Sequence, residues 1–326
     1  MNDTEKKGKP NSKRFLIIKL VLTVAVLLVL FWKFDFIVML ETIKSANPIY
    51  IFTSIFCLFA QTYLIAWRWQ LINIKTISIK EKIPGFLTHW HYLMISFWFN
   101  LALPSSVGGD AVRIWTIKRV GIPLSQAANS VILDRISALL AVVILIGCGL
   151  PFLASNVIDL ELMNGLILLI ILAVFGVLFL VNCEMILKKW CSIKVIQILI
   201  NLSRQSKTIF ANPTIISSAI LIHLITIISF YCILMSLSVD LKFSHLLLIM
   251  PTVILLSALP ISISGWGVRE GSLVVGLGIF SVDASIALTA SILFGLSSIM
   301  IGICGGIAWI KDKNSHQNLT CVKDNG

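Results

Sequence analysis

The sequence predicts an all-α polytopic membrane protein with about eight apolar segments, two of them broken hairpins, arranged as an inverted-topology repeat. Three observations point there. The 326 residues are 58% hydrophobic and only 13% charged, with a mean hydropathy of +0.97, whereas a soluble domain carries about 25% charged residues. Several apolar runs reach the roughly 20 residues needed to cross about 30 Å of hydrocarbon. A Pro- and Gly-containing motif also occurs twice. A soluble enzyme is excluded on composition. The net charge of +11, from 26 Lys and Arg against 15 Asp and Glu, would suggest nucleic acid in a soluble protein. In a membrane protein it marks cytoplasmic loops held against anionic headgroups, so no nucleic-acid partner is expected.

The elements follow in chain order. Residues 1–14 form a basic tail with Lys6, Lys7, Lys9, Lys13 and Arg14, read as cytoplasmic. The apolar run 15–32 closes on Phe31-Trp32-Lys33 without a small-residue cleavage site, so it is a retained span and not a signal peptide. Trp32 suits the interface and Lys19 can snorkel to it. The remaining apolar segments are 48–67, 86–103, 127–154, 164–182, 213–237, 245–263 and 284–310. The tail 311–326 is basic again, giving one membrane domain over 15–310 with halves near 15–154 and 164–310. The seven cysteines are scattered without metal spacing, and His89 and His91 do not share a helix face. No metal or cofactor is expected.

Loop charges test the segment count. The loops 68–85 (Arg68, Lys75, Lys80, Lys82) and 183–212 (Lys188, Lys189, Lys194, Arg204, Lys207) are basic, hence cytoplasmic by the positive-inside rule. The loops 33–47, 155–163 and 238–244 are poorly basic and fall on the other face. Segment 86–103 leaves a cytoplasmic loop, yet the next stretch holds Arg113, Lys118 and Arg119. Segment 127–154 must also begin inside. Residues 86–126 therefore enter from the cytoplasm and return to it, and 245–283 do the same on the outer face.

Each hairpin turns on the same motif. Leu103-Pro-Ser-Ser-Val-Gly-Gly-Asp-Ala-Val-Arg113 and Leu259-Pro-Ile-Ser-Ile-Ser-Gly-Trp-Gly-Val-Arg269 share Leu, Pro, Ser, Gly, Val and Arg at an offset of 156. Copies of opposite orientation, broken at corresponding points, indicate a transporter-type site near the midplane. Broken backbone is tolerated only inside protein or along a wet cavity. Gly108, Gly109, Gly265 and Gly267 permit a tight turn and leave amides open to an anion. Arg113 and Arg269, four residues past the shared glycine, can hold a phosphate or carboxylate. Charges inside membrane segments default to functional hypotheses, which adds Asp110, Glu270, Asp134 and Arg135. Asp110 can pair with Arg113 at i,i+3, while Asp134-Arg135 can neutralise groups of the first hairpin. The alternative reading of each pair is a structural salt bridge holding the hairpin. Gly302, Gly305 and Gly306 mark close helix packing.

These residues carry a resemblance. Asn100 to Arg113, with Asp134-Arg135, Trp67-Arg68-Trp69 and Leu259 to Gly271, resemble the lysylphosphatidylglycerol synthase transmembrane family of flippase-like proteins over about residues 15–310. The resemblance implies a bacterial or archaeal inner (plasma) membrane protein that moves a polar-headed lipid. The family's best-studied members add a cytosolic aminoacylating domain; the chain stops at Gly326, so that chemistry is not carried over. Ser264-Gly265 stands where the family often has two glycines.

The expected function is therefore a lipid flippase with no catalytic residues, acting on a membrane phospholipid or lipid-linked substrate. Two rivals come from other classes. A membrane-embedded transferase would need a wet carboxylate cluster. The sequence offers Asp110, Asp134 and Glu270 but no Asp-x-Asp pair and no sizeable polar loop. An accessory subunit of an envelope-biosynthesis enzyme would co-purify with that enzyme and translocate nothing alone. The oligomeric state has no signature.

Overall fold

A computed structural model describes residues 36–103, 107–152, 160–188, 194–258 and 265–323. The first apolar run (15–32) and the motif turns at 104–106 and 259–264 lie outside the described residues. Every regular element described is helical. Among the described residues, five helices are long and apolar enough to cross a membrane: Pro48–Thr76, Leu124–Gly149, Met163–Leu187, Pro213–Ser236 and Ala284–Asp312.

In chain order the α-helices are α1 (Phe36–Ser45), α2 (Pro48–Thr76), α3 (Phe86–Ala102), α4 (Gly108–Arg119), α5 (Leu124–Gly149) and α6 (Leu160–Leu187). They continue with α7 (Lys194–Phe210), α8 (Pro213–Ser236), α9 (Phe243–Ala258), α10 (Val268–Gly278) and α11 (Ala284–Lys323). The segments read as hairpin arms are short: α3 has 17 residues and α9 has 16, followed by α4 with 12 and α10 with 11. At about 1.5 Å per residue none of them alone spans the hydrocarbon.

Two central helices begin alike. Asn47 caps α2 by accepting from the Ile49 amide, and Asn212 caps α8 by accepting from the Thr214 amide, each with Pro at the next position. Asn at the cap satisfies an orphan donor, and Pro at N1 has no donor to orphan. These helices pack against each other and share a buried Ser54–Ser229 hydroxyl hydrogen bond of 2.7 Å. Phe230, Leu234, Ile249, Leu273, Leu293 and Phe294 join α8, α9, α10 and α11 in the largest apolar cluster.

Glycine lets α11 lie on α3. A Cβ at Gly305 would collide with the Met94 carbonyl, one at Gly302 with the Leu101 side chain, and one at Gly306 would stand 2.8 Å from the Trp98 ring. Small residues are how membrane helices approach closely.

Three loop assignments are corrected. Residues 33–47 contain the helix α1. Residues 183–212 contain α7, whose Ile200, Leu202, Ser203, Ser206 and Ile209 are buried while Arg204 and Lys207 face outward. The basic loop after the second apolar run starts later than read, because α2 continues to Thr76. Arg68, counted as a loop charge, is 3% exposed on that helix.

Candidate functional site

The charges of the first hairpin meet on α5. Asp134, 2% exposed, accepts from Arg68 Nε of α2 at 2.9 Å and from Arg113 Nη2 of α4 at 2.8 Å. One residue on, Arg135 forks onto Asp110, with Nε 2.9 Å from Oδ2 and Nη2 2.8 Å from Oδ1. Arg113 Nη1 lies 3.7 Å from Asp110, which closes the set. Three arginines against two aspartates leave one net positive charge. Such a buried cluster persists in a membrane protein only because the partners compensate one another. The Arg113 guanidinium also sits 4.3 Å over the Trp69 ring, a cation–π contact that cushions it without neutralising it.

The second hairpin is arranged otherwise. Arg269 Nη2 lies 2.6 Å from Oε1 of its neighbour Glu270, which is fully buried. The other Glu270 oxygen accepts from the Gly267 amide at 2.6 Å, so the carboxylate caps its own helix. Arg269 stacks 4.6 Å over Trp266. A Cβ at Gly295 of α11 would collide with Arg269 Nη2, so that glycine is the seat on which the arginine rests.

Two of the four motif glycines, Gly109 and Gly267, differ from the expectation of open amides. The Gly109 amide donates to Asn100 Oδ1 at 2.8 Å, and the Gly267 amide is taken by Glu270. Gly109 and Gly108 serve close approach: a Cβ would stand 2.5 Å from the Ser96 carbonyl at the first and 2.9 Å from Leu103 Cδ1 at the second. Gly265 and Gly267 have φ of 82° and 85°, a region that side chains rarely enter.

Residues of both hairpins line three chambers. A chamber of about 260 Å³ is lined by Arg68, Arg113, Asp134 and Arg135, with Gln61, His223 and Thr226. One of about 330 Å³ lies between Arg135 and Arg269, with Ser257 and Gly265. A third, of about 250 Å³, is lined by Gln61, Trp266, Arg269, Gly295 and Ser298. Asn100 borders all three. Arg135 is the open cation of the first set, its side chain 53% exposed against 4% for Arg113.

The structure thus brings Arg113, Asp110, Asp134 and Arg135 into one network and Arg269 with Glu270 into another, both facing the same space. Arg68 and Asn100, which entered through the resemblance and not as site residues, belong to the arrangement, as does Gly295, which had no signal. Among the described residues no group of three His, Cys, Asp or Glu could hold a metal ion. His89, for its part, lies 2.8 Å from the Asn73 amide nitrogen and packs edge-on to Trp69.

Five candidate spans among the described residues, with buried ion pairs between helices, mark a multi-pass membrane protein. The sequence model of the lysylphosphatidylglycerol synthase TM region matches residues 16–306, and the chain belongs to that family. No curated protein and no solved structure matches it.

Proposed function

We propose that the protein is a lipid flippase that moves a polar, phosphate-bearing headgroup through the central chambers while the acyl chains stay in the bilayer. The observation that carries this reading is that Arg135, from the first half, and Arg269, from the second, line the same chamber beside Asn100. A cationic space inside apolar helices is costly, and a headgroup crossing hydrocarbon needs such a space.

An inverted repeat supplies the mechanism. The paired motifs, the matched lengths of α3–α4 and α9–α10, and the Asn-Pro starts of α2 and α8 support two related halves. Rocking one half against the other would expose the chambers to each face in turn. Loop charge favours an inner-membrane protein with both termini cytoplasmic.

The test is a reconstituted vesicle assay with a headgroup-labelled phospholipid and an impermeant quencher. Quenching beyond the outer leaflet is the expected result. Quenching confined to the outer leaflet for every lipid tried would overturn the function.

A further inference from the structure

The two arms of the second hairpin leave a groove between them that the charged chambers do not include. Ile249, Val253 and Leu256 of α9 and Gly271, Val275 and Gly276 of α10 line a cavity of about 320 Å³. No charged residue lines it, and its only side-chain hydroxyls are those of Thr252 and Ser272. The Thr252 hydroxyl is spent on the Leu248 carbonyl, to which it donates at 2.8 Å. An apolar cavity of this size stays dry and takes an apolar guest. Val275, 68% exposed, stands at its open side. The lining runs from 248 to 256 and from 271 to 279, about 12 Å along each arm at the helical rise. One leaflet of a roughly 30 Å hydrocarbon core is about 15 Å deep, so the groove follows most of one acyl chain.

Glycine usage points the same way. Glycine inside a helix costs stability relative to alanine, yet the short helix α10 holds Gly271 and Gly276 in its interior. Gly276 has a packing reason, because a Cβ there would stand 3.0 Å from Ile249 Cγ2. Gly271 has none within the protein, since nothing lies within 4 Å of its Cβ position. What its missing side chain keeps clear is the groove. At the offset of 156 the first hairpin carries Trp115 and Val120 in these two places, so the clearance belongs to the second hairpin. Val253 also lines the chamber between Arg135 and Arg269, and the groove and that chamber therefore meet across one side chain.

Lipid tails are as apolar as leucine, so burial alone draws no chain out of the bilayer. Dispersion contact with a preformed groove does, and a headgroup held next door decides which lipid supplies the chain. We infer that the groove between α9 and α10 seats one acyl chain of the lipid whose headgroup occupies the chamber between Arg135 and Arg269. Its link to a headgroup rests on the flippase reading; the shape and chemistry of the groove do not.

The test is photolabelling of the purified full chain in phosphatidylcholine nanodiscs. The probe is a trace of phosphatidylglycerol with a diazirine in mid-chain, and labelled peptides are mapped by mass spectrometry. Helix α6 is the internal reference, because its exposed Leu172, Phe175 and Phe179 report unselected contact with lipid. Labelling of 248–256 and 271–280 is expected to exceed that of α6 by about ten-fold per residue, the scale of a dozen or so added dispersion contacts. Gly271→Leu, which fills the groove from a position with open space around it, should bring the hairpin down to the level of α6. Arg269→Gln, which releases the headgroup, should do the same with α6 labelling unchanged.

Uniform labelling of hairpin and α6 in the unaltered protein overturns the site without reliance on any variant. Enrichment that survives Arg269→Gln overturns the shared lipid. Enrichment lost in both variants, in a chain that translocates nothing, keeps the site and refutes the flippase reading. Translocation with uniform labelling does the reverse.

Discussion

The two hairpins place an arginine at the same motif position and compensate it in different ways. Arg113 is held from outside its hairpin: its counterion Asp134 belongs to α5 and is shared with Arg68 of α2. Arg269 carries its counterion as the next residue, and that residue also caps the helix. The first hairpin is thus tied by ion pairs across three helices, whereas the second keeps its ion pair within one motif and meets α11 through the Gly295 seat and the Ser291 hydroxyl, 3.5 Å from Glu270 Oε1. The same motif position therefore holds an arginine in an ion-pair cross-link between helices in the first hairpin and in an ion pair local to its own helix in the second.

The largest expected break in this comparison is Asp134→Asn. It strands two buried arginines, and removing one partner of a buried pair costs about 3–5 kcal/mol. The melting temperature in detergent should collapse, or folded protein should fail to accumulate. Glu270→Gln keeps an acceptor for the Gly267 amide and strands an arginine that borders the open chamber, so about 1–3 kcal/mol is expected. Equal losses for the two variants would erase the distinction between the hairpins.

Gly109→Ala sharpens the packing side. Its methyl would stand 2.5 Å from the Ser96 carbonyl and force the arms of the first hairpin apart, a loss of about 1–3 kcal/mol. Gly271 in the second hairpin is the control. Nothing lies within 4 Å of a Cβ there, so Gly271→Ala should be neutral or stabilise by up to about 1 kcal/mol. Arg135→Lys has the smallest expected effect on stability, below about 1 kcal/mol, because its side chain is half exposed. Its effect should appear in transport, since lysine cannot reproduce a bidentate fork. Thermal melting and the vesicle assay, run side by side, separate the two.

Much of this was legible in the sequence, and the exceptions share causes. Apolar runs marked the five candidate spans, and the repeated Pro-Gly motif marked the short arms. Asp134-Arg135 stood out because paired charges inside an apolar stretch demand partners. Arg68 did not, because Trp67-Arg68-Trp69 ends an apolar run where a loop charge is ordinary, and its counterion lies 66 residues away. Helix α7 was missed because an amphipathic helix dilutes its own hydropathy. Gly295 had no signal, since the arginine that needs its missing side chain comes from another helix. The amides of Gly109 and Gly267 seemed open because spacing reveals a glycine but not the Asn100 or Glu270 oxygen waiting on it.

The central claim is that both hairpins face one headgroup path. The most direct measurement is the rate of headgroup translocation in vesicles holding equal amounts of folded parent protein or the Arg135→Gln, Arg269→Gln double variant. The expected result is a parent rate well above protein-free vesicles and a double variant at that baseline. A double variant that translocates as fast as the parent would contradict it.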